Sequence, residues 1–363
     1  MPPLEHLLPM SQGPARQPQR TLHLHAGPHK TGSTYLQARL QRNRRSLERL
    51  GLRYPLPWGE HSHRHLARQL RADGLGALEK LLQQQRRWSG DVLLSAEHFV
   101  PLLAQADSLE ALQRCCESKG FALHVISVVR PQHALLNSFY AHVLGRLYAT
   151  PSFTAYVRAQ LACRRLRGPA RRRWIHLAPL SLDLERRFQC LLVQPGLRSS
   201  FLPFVPRRHD LFDQLVESLG LPPQTWRPAP AAQANEQLGR RGLGLAYLLN
   251  AELDSLPIRR SGLIAEHGLN RLVEQLRILA RQRGWVKERY SGWQGRLLQR
   301  FEQHYAASND RFAQQVWGQD WLACFAPPPP PSESQGLVLD QELRQEARRL
   351  FTDYRCRLPQ ALR

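Results

Sequence analysis

Apolar residues along the chain follow two rhythms. Short runs at 22–24, 92–94, 121–129 and 199–205 are alternating or continuously apolar, which predicts β-strands. Between and after them apolar side chains recur every three or four positions, which predicts helices with one buried face. Leu36, Leu40, Leu47 and Leu50 set a helix over 34–50, and Gly51 suits the position just past its end. The strand 121–129 stops at Arg130-Pro131. A helix with Leu135, Leu136, Phe139, Tyr140, Val143 and Leu147 follows, opened by the proline. Further helical patterns cover 210–219, 236–253, 262–283 and 294–318. Strands alternating with helices predict an α/β fold: a parallel sheet flanked by helices, with a helix-rich C-terminal half.

Four segments follow from composition. Residues 1–20 carry five prolines and no apolar stretch of signal-peptide length, and read as a flexible tail. One α/β domain is expected over 21–325. Residues 326–332 contain five consecutive prolines, a stiff linker. In 333–363, Leu343, Ala347, Leu350, Phe351 and Tyr354 mark one amphipathic helix, read as an appendage. No internal repeat is evident.

The 363 residues carry a formal net charge of +22, nearly all of it arginine, since the lysines are only Lys30, Lys80, Lys119 and Lys287. Such a balance attracts anionic partners. Arg164, Arg165, Arg167, Arg171, Arg172 and Arg173 form the densest cluster. They read as an anion-attracting rim or a solvated surface. No helix-turn-helix, RNA-recognition or zinc-finger signature accompanies them, so no nucleic-acid partner is expected. The six cysteines are irregularly spaced and give neither a disulfide framework nor a zinc pattern. A reducing, cytoplasmic location is expected. No run approaches the roughly 18 apolar residues of a membrane-spanning helix.

The chemistry concentrates after the first strand, in His25-Ala26-Gly27-Pro28-His29-Lys30-Thr31-Gly32-Ser33-Thr34-Tyr35. A strand, a compact loop and a helix N-terminus in that order place backbone N–H groups, hydroxyls and one ammonium where a phosphate-like anion binds. The loop is P-loop-like but is not a Walker A sequence, which places lysine directly after its second glycine. Here Lys30 precedes Gly32 by two positions. A second candidate anion site is Arg130 with Ser138, eight residues on and about two turns into the next helix. A strand-end arginine alone is more often a surface ion pair. The two motifs together, about a hundred residues apart in this order, carry the argument.

Lys30-Thr31-Gly32-Ser33-Thr34 and Val129-Arg130-Pro131 with Ser138-Phe139-Tyr140 resemble the cofactor motifs of bacterial sulfotransferases that use 3′-phosphoadenosine 5′-phosphosulfate (PAPS). The resemblance extends over about residues 21–325. It includes Gly51-Leu52-Arg53-Tyr54-Pro55, Leu94-Ser95-Ala96-Glu97, Phe204-Val205-Pro206-Arg207, Asn235-Glu236-Gln237-Leu238 and Ser308-Asn309-Asp310. It implies that Lys30, Thr31, Gly32, Ser33 and Thr34 hold the 5′-phosphosulfate and that Arg130 and Ser138 hold the 3′-phosphate. Tyr35 falls where the cytosolic enzymes stack a tryptophan on adenine, although a packed aromatic is equally expected there. The implied reaction moves a sulfuryl group from PAPS to an acceptor hydroxyl, on a glycan or glycolipid, without a metal.

Such transfer needs a base for the acceptor proton. Glu97, with His98 beside it, is the first candidate and His63 the second, with Glu60 and His61 near the latter. A structural role competes for each. Two further readings stay open: a nucleotide kinase or ATPase, and a degenerate sulfotransferase fold that binds anions without turnover. Against the kinase, the strand at 92–94 ends in Ser95 and that at 121–129 in Arg130, where a metal-binding carboxylate would stand.

Overall fold

Strands β1 (Arg20–His25), β2 (Leu52–Arg53), β3 (Asp91–Ser95), β4 (Phe121–Val129) and β5 (Arg198–Pro203) form one sheet in the order β2-β3-β1-β4-β5. All pairs are parallel. This is a computed structural model, and it describes residues 20–148, 151–162, 182–205, 210–230, 237–256, 268–330 and 335–360. Residues 1–19 of the expected tail and the arginine cluster at 164–173 lie outside the described residues, and Arg20, read as the end of the tail, instead opens β1.

Helices follow the strands as α1 (Ser33–Arg42), α2 (Arg44–Arg49), α3 (Arg64–Ala72), α4 (Gly76–Gln84) and α5 (Ala106–Ser118). After β4 come α6 (Gln132–Gly145), α7 (Phe153–Leu161) and α8 (Leu184–Val193), and after β5 comes α9 (Leu211–Ser218). The C-terminal part holds α10 (Gly239–Leu253), α11 (Leu269–Gln282), α12 (Gly295–Trp317) and α13 (Gln341–Cys356). Among the described residues no helix is long and apolar enough to cross a membrane.

Strand alternation sends neighbouring side chains to opposite faces of the sheet. Leu22, Leu24, Val92, Leu94, Leu123 and Val125 pack on one face against Leu66 and Leu70 of α3, Leu109 and Leu112 of α5 and Phe188 of α8. Leu93, Ile126, Val128 and Leu202 pack on the other against Leu36 and Leu40 of α1 and Phe212 and Leu215 of α9. A polar row crosses this second face. His23 Nε2 lies 3.3 Å from Asp91, His23 Nδ1 lies 2.8 Å from His124 Nδ1, and His124 Nε2 lies 2.8 Å from the Ser200 hydroxyl. One set of donors satisfies every member: Ser200 donates to His124, His124 to His23, and His23 to Asp91. Burial, then the neighbouring His23 and Arg198, push the His124 pKa down to about 3.

The helix expected over 34–50 divides at Asn43. The Asn43 amide donates to the carbonyls of Arg39 at 2.8 Å and Arg227 at 2.9 Å, and its oxygen accepts from the Arg227 N–H at 2.9 Å. That side chain fastens a distant segment to the α1–α2 junction.

A third core lies among helices, uniting Leu136, Tyr140 and Leu144 of α6 with Leu245 and Leu249 of α10, Leu272 and Leu276 of α11 and Phe301 of α12. The last helix corrects the appendage reading. Leu343, Ala347, Leu350, Phe351 and Tyr354 of α13 are buried in this core. The approach is so close that a Cβ on Gly244 of α10 would stand 2.0 Å from the Val338 carbonyl oxygen. A separate helix would leave that stripe in water, so the hydrophobic effect draws it onto α10.

Candidate functional site

The loop after β1 closes tightly because its residues permit it. Gly32 has φ 86° and directly precedes α1, and Lys30 also adopts a left-handed conformation, φ 68°. A non-glycine residue in that region is uncommon and clusters at functional sites. A Cβ on Gly27 would lie 3.0 Å from both His25 Nε2 and Ser33 Oγ and 3.1 Å from Thr31 Oγ1. Glycine lets these three polar atoms converge beneath the loop without crowding. Of them, the buried His25 Nε2 and Ser33 Oγ have no hydrogen-bond partner. The Thr31 hydroxyl donates to the Pro28 carbonyl at 2.6 Å, so its proton is used inside the loop. Thr34 is exposed. The first turn of α1 carries no acidic residue and no side-chain cap, which leaves its N–H groups facing the loop.

Arg130 joins the two motifs. Its guanidinium donates to the backbone carbonyl of Lys30 at 2.6 Å and lies 5.3 Å from the centre of the Phe204 ring. Burial lowers its pKa to about 10, so it remains charged at neutral pH. The reciprocal amide pair of Gln132 with Asn309, and the Gln132 bond to the Leu182 carbonyl at 3.1 Å, anchor the start of α6 beside Arg130. The Ser308-Asn309-Asp310 segment thereby gains a role: Asn309 fixes α6, and Asp310 accepts from the Trp321 N–H at 3.2 Å.

Ser138 and His142 on α6, and Arg146 capping its C-terminus, recur every fourth residue and share one stripe. Ser138 is 9% exposed and its hydroxyl has no partner among the described residues. Lys30 feels Arg146, Arg130 and Arg277, and together with burial, the largest cause, they hold its pKa down to about 8. His142 is pushed to about 3 by burial and by the nearby Lys30 and Arg146. Arg187 on α8 reaches the same region, where burial lowers its pKa to about 10 and its charge acts on His29. The mouth of the loop is therefore a basin of cations, suited to a ligand with several negative charges.

The base candidates separate cleanly. Glu97, just past β3, lies 3.6 Å from His29 Nδ1 and accepts from Gln37 at 3.4 Å. Its charge opposes the lowering of the Lys30, His29 and His25 pKa values, which places it at the loop. His98 stacks edge-on against His29 with ring centres 5.5 Å apart. His63 is 1% exposed and structural: its Nδ1 accepts the Ser95 N–H at 3.1 Å and its Nε2 donates to the Pro55 carbonyl at 3.2 Å. Burial pushes its pKa to about 4. With both ring nitrogens engaged, His63 is withdrawn from the candidate bases. His61 meets Gln41 at 3.5 Å and Glu60 closes a turn on Pro57, and neither has a hydrogen bond or ion pair to a loop residue among the described residues. Tyr35 donates to Asp210 and accepts from Arg39 at 2.7 Å, which tethers its ring to α9.

Sequence reasoning missed His25, His142, Arg146, Arg187, Arg277 and Phe204 as neighbours of the loop. The four-residue spacing of Ser138, His142 and Arg146 was the one signal that pointed to any of them. No group of three or more potential metal ligands occurs among the described residues. Comparisons with family models, curated proteins and solved structures give no match.

Proposed function

We propose that the chain is a P-loop-like sulfotransferase that binds PAPS and sulfates a hydroxyl on a carbohydrate-bearing acceptor. The observation that carries this reading is the Arg130 bond to the Lys30 carbonyl, which joins a strand-end arginine to the lysine loop. The strand order β2-β3-β1-β4-β5, with the loop leaving the central β1, supports it. The orphaned His25 Nε2 and Ser33 Oγ beneath the loop, and the unpaired hydroxyl of Ser138, fit a ligand rich in acceptor oxygens.

PAPS supplies, when bound, a sulfuryl group on a phosphate leaving group. Lys30 and the N–H groups of α1 offset the charge that develops on the departing phosphate oxygen as the S–O bond breaks. Glu97 takes the proton of the acceptor hydroxyl as the new O–S bond forms. Arg130 and Ser138 hold the 3′-phosphate and so fix the register of the nucleotide. Catalysis on this reading is positioning plus charge stabilisation.

Calorimetric titration with adenosine 3′,5′-bisphosphate and with ATP–Mg²⁺ tests the reading, followed by an acceptor screen with labelled PAPS. Tighter binding of the bisphosphate and Glu97-dependent transfer are expected. Preference for ATP–Mg²⁺ would place the loop with nucleotide kinases or ATPases. Bisphosphate binding with no transfer to any acceptor would mark a non-catalytic anion-binding fold.

A further inference from the structure

Away from the loop, at the far end of α1, an open groove of about 870 Å³ is lined by Gln41, Arg42, Arg44, Arg45, Ser46, Glu48, Arg49, Trp88 and Arg227. α1 spans ten residues, so the groove begins about 15 Å from the anion loop. Its arginines are exposed and its carboxylate is spent: Glu48 accepts from Arg53 at 2.9 and 3.0 Å. Arg42, Arg44, Arg45 and Arg227 have no side-chain partner among the described residues. The arrangement is built and not accidental crowding. Asn43, 2% exposed, clamps the Arg227 backbone through both its amide groups, and this brings a residue 184 positions away over the arginines of α2.

We infer that this groove binds a linear acidic polysaccharide through its sulfate or carboxylate groups. Planar guanidinium forks match such oxyanions two bonds at a time. Gln41 and Ser46 add neutral groups suited to sugar hydroxyls. The concave shape admits a chain and not a bilayer surface. Trp88, the one aromatic ring among the described lining residues, already carries the Arg53 guanidinium 4.0 Å from its centre and donates its N–H to the Asp91 carbonyl, which leaves little aromatic surface for stacking bases. The inference does not depend on what the loop binds.

The test is fluorescence anisotropy with a labelled heparin dodecasaccharide over a range of salt. The chain is compared with the groove variant Arg44→Ala/Arg45→Ala/Arg227→Ala and with Arg296→Ala/Arg300→Ala/Arg348→Ala, which removes the same charge elsewhere. The groove variant is expected to bind at least tenfold more weakly, with a salt slope smaller by about two to three. The control variant is expected to change by less than threefold. In the unmodified chain, the dodecasaccharide should also protect Arg44, Arg45 and Arg227 from an arginine-modifying reagent, a readout independent of variant folding. Equal weakening of both variants, absence of protection, or tighter groove-dependent binding of a charge-matched oligoribonucleotide would overturn the inference. A parallel titration with adenosine 3′,5′-bisphosphate reports on the loop separately.

Discussion

The guanidinium of Arg130 braces the backbone carbonyl of Lys30 at 2.6 Å, so the end of β4 and the loop after β1 behave as one part. On the proposed reading, replacing Arg130 by alanine removes a ligand cation and the brace together. Affinity for adenosine 3′,5′-bisphosphate is expected to fall by about 2–3 kcal/mol, on the order of 30- to 150-fold. Arg130→Lys should recover little, because an ammonium lacks the second fork. Calorimetry on the two variants checks this.

Lys30 itself is held at φ 68°, where glycine rests without strain. Lys30→Gly should therefore be more stable than Lys30→Ala by about 1 kcal/mol, measured by urea unfolding. Both variants should lose bisphosphate binding. A gain in stability with a loss of affinity would identify the lysine as a residue retained for its ligand.

The Lys30 pKa, lowered to about 8 by burial and by Arg146 and Arg130, has a calorimetric signature. At pH 8 the ammonium is about half deprotonated, and an anionic ligand favours its charged form. The Lys30 share of proton uptake on binding should then be about half a proton at pH 8 and almost none at pH 6. Titrations in buffers of different ionisation enthalpy measure the uptake, and Lys30→Ala should abolish that share. In the free protein the charged Lys30 opposes folding, so its contribution to stability improves as pH rises from 8 towards 10.5.

His25 and His63 are pushed down to about 4, and His124 to about 3, each chiefly by burial. Their unfolded pKa is near 6.5, so below that pH the unfolded chain binds more protons than the folded one. Stability should fall as pH drops from 6.5 towards 4, followed by circular dichroism. His63→Ala should cost about 2–4 kcal/mol at pH 7 and leave bisphosphate affinity within twofold. Glu97→Gln should do the reverse, sparing stability and abolishing transfer.

Removing residues 335–363 strips α13 from the helical core and exposes the α10 surface that it covers. The truncated chain should aggregate or unfold at least 10 °C lower, by differential scanning calorimetry. A milder probe is Gly244→Ala, whose Cβ would collide with the Val338 carbonyl. It should lower the melting temperature while α10 remains helical.

Much of the frame was legible in the sequence. Apolar periodicity located β1, β3, β4 and β5 and the long C-terminal helices, because strands show short alternating or continuous apolar runs and amphipathic helices show apolar residues every three or four positions. It missed β2, only two residues long, and helices such as α3 and α4 in a histidine- and arginine-rich stretch. The α1–α2 break was invisible because Asn43 acts through Arg227, far along the chain. For the site, residue type and spacing nominated the loop, Arg130, Ser138 and Glu97, and the fold brings Arg130 and Glu97 to the loop. They misjudged His63, since a buried histidine bonded at both nitrogens looks like a reactive one in one dimension. The cations of α8 and α11 reach the loop only through tertiary packing.

The row Asp91–His23–His124–Ser200 bears on how the sheet assembles. Parallel strands meet late, across long stretches of chain, and hydrophobic residues tolerate a shifted partner. This row does not. A slip of one residue between β1 and β4 would turn His23 or His124 to the opposite face and strand polar groups in a dry interior. The row thus acts as a register key: mispaired strands lose these polar partners in addition to their packing.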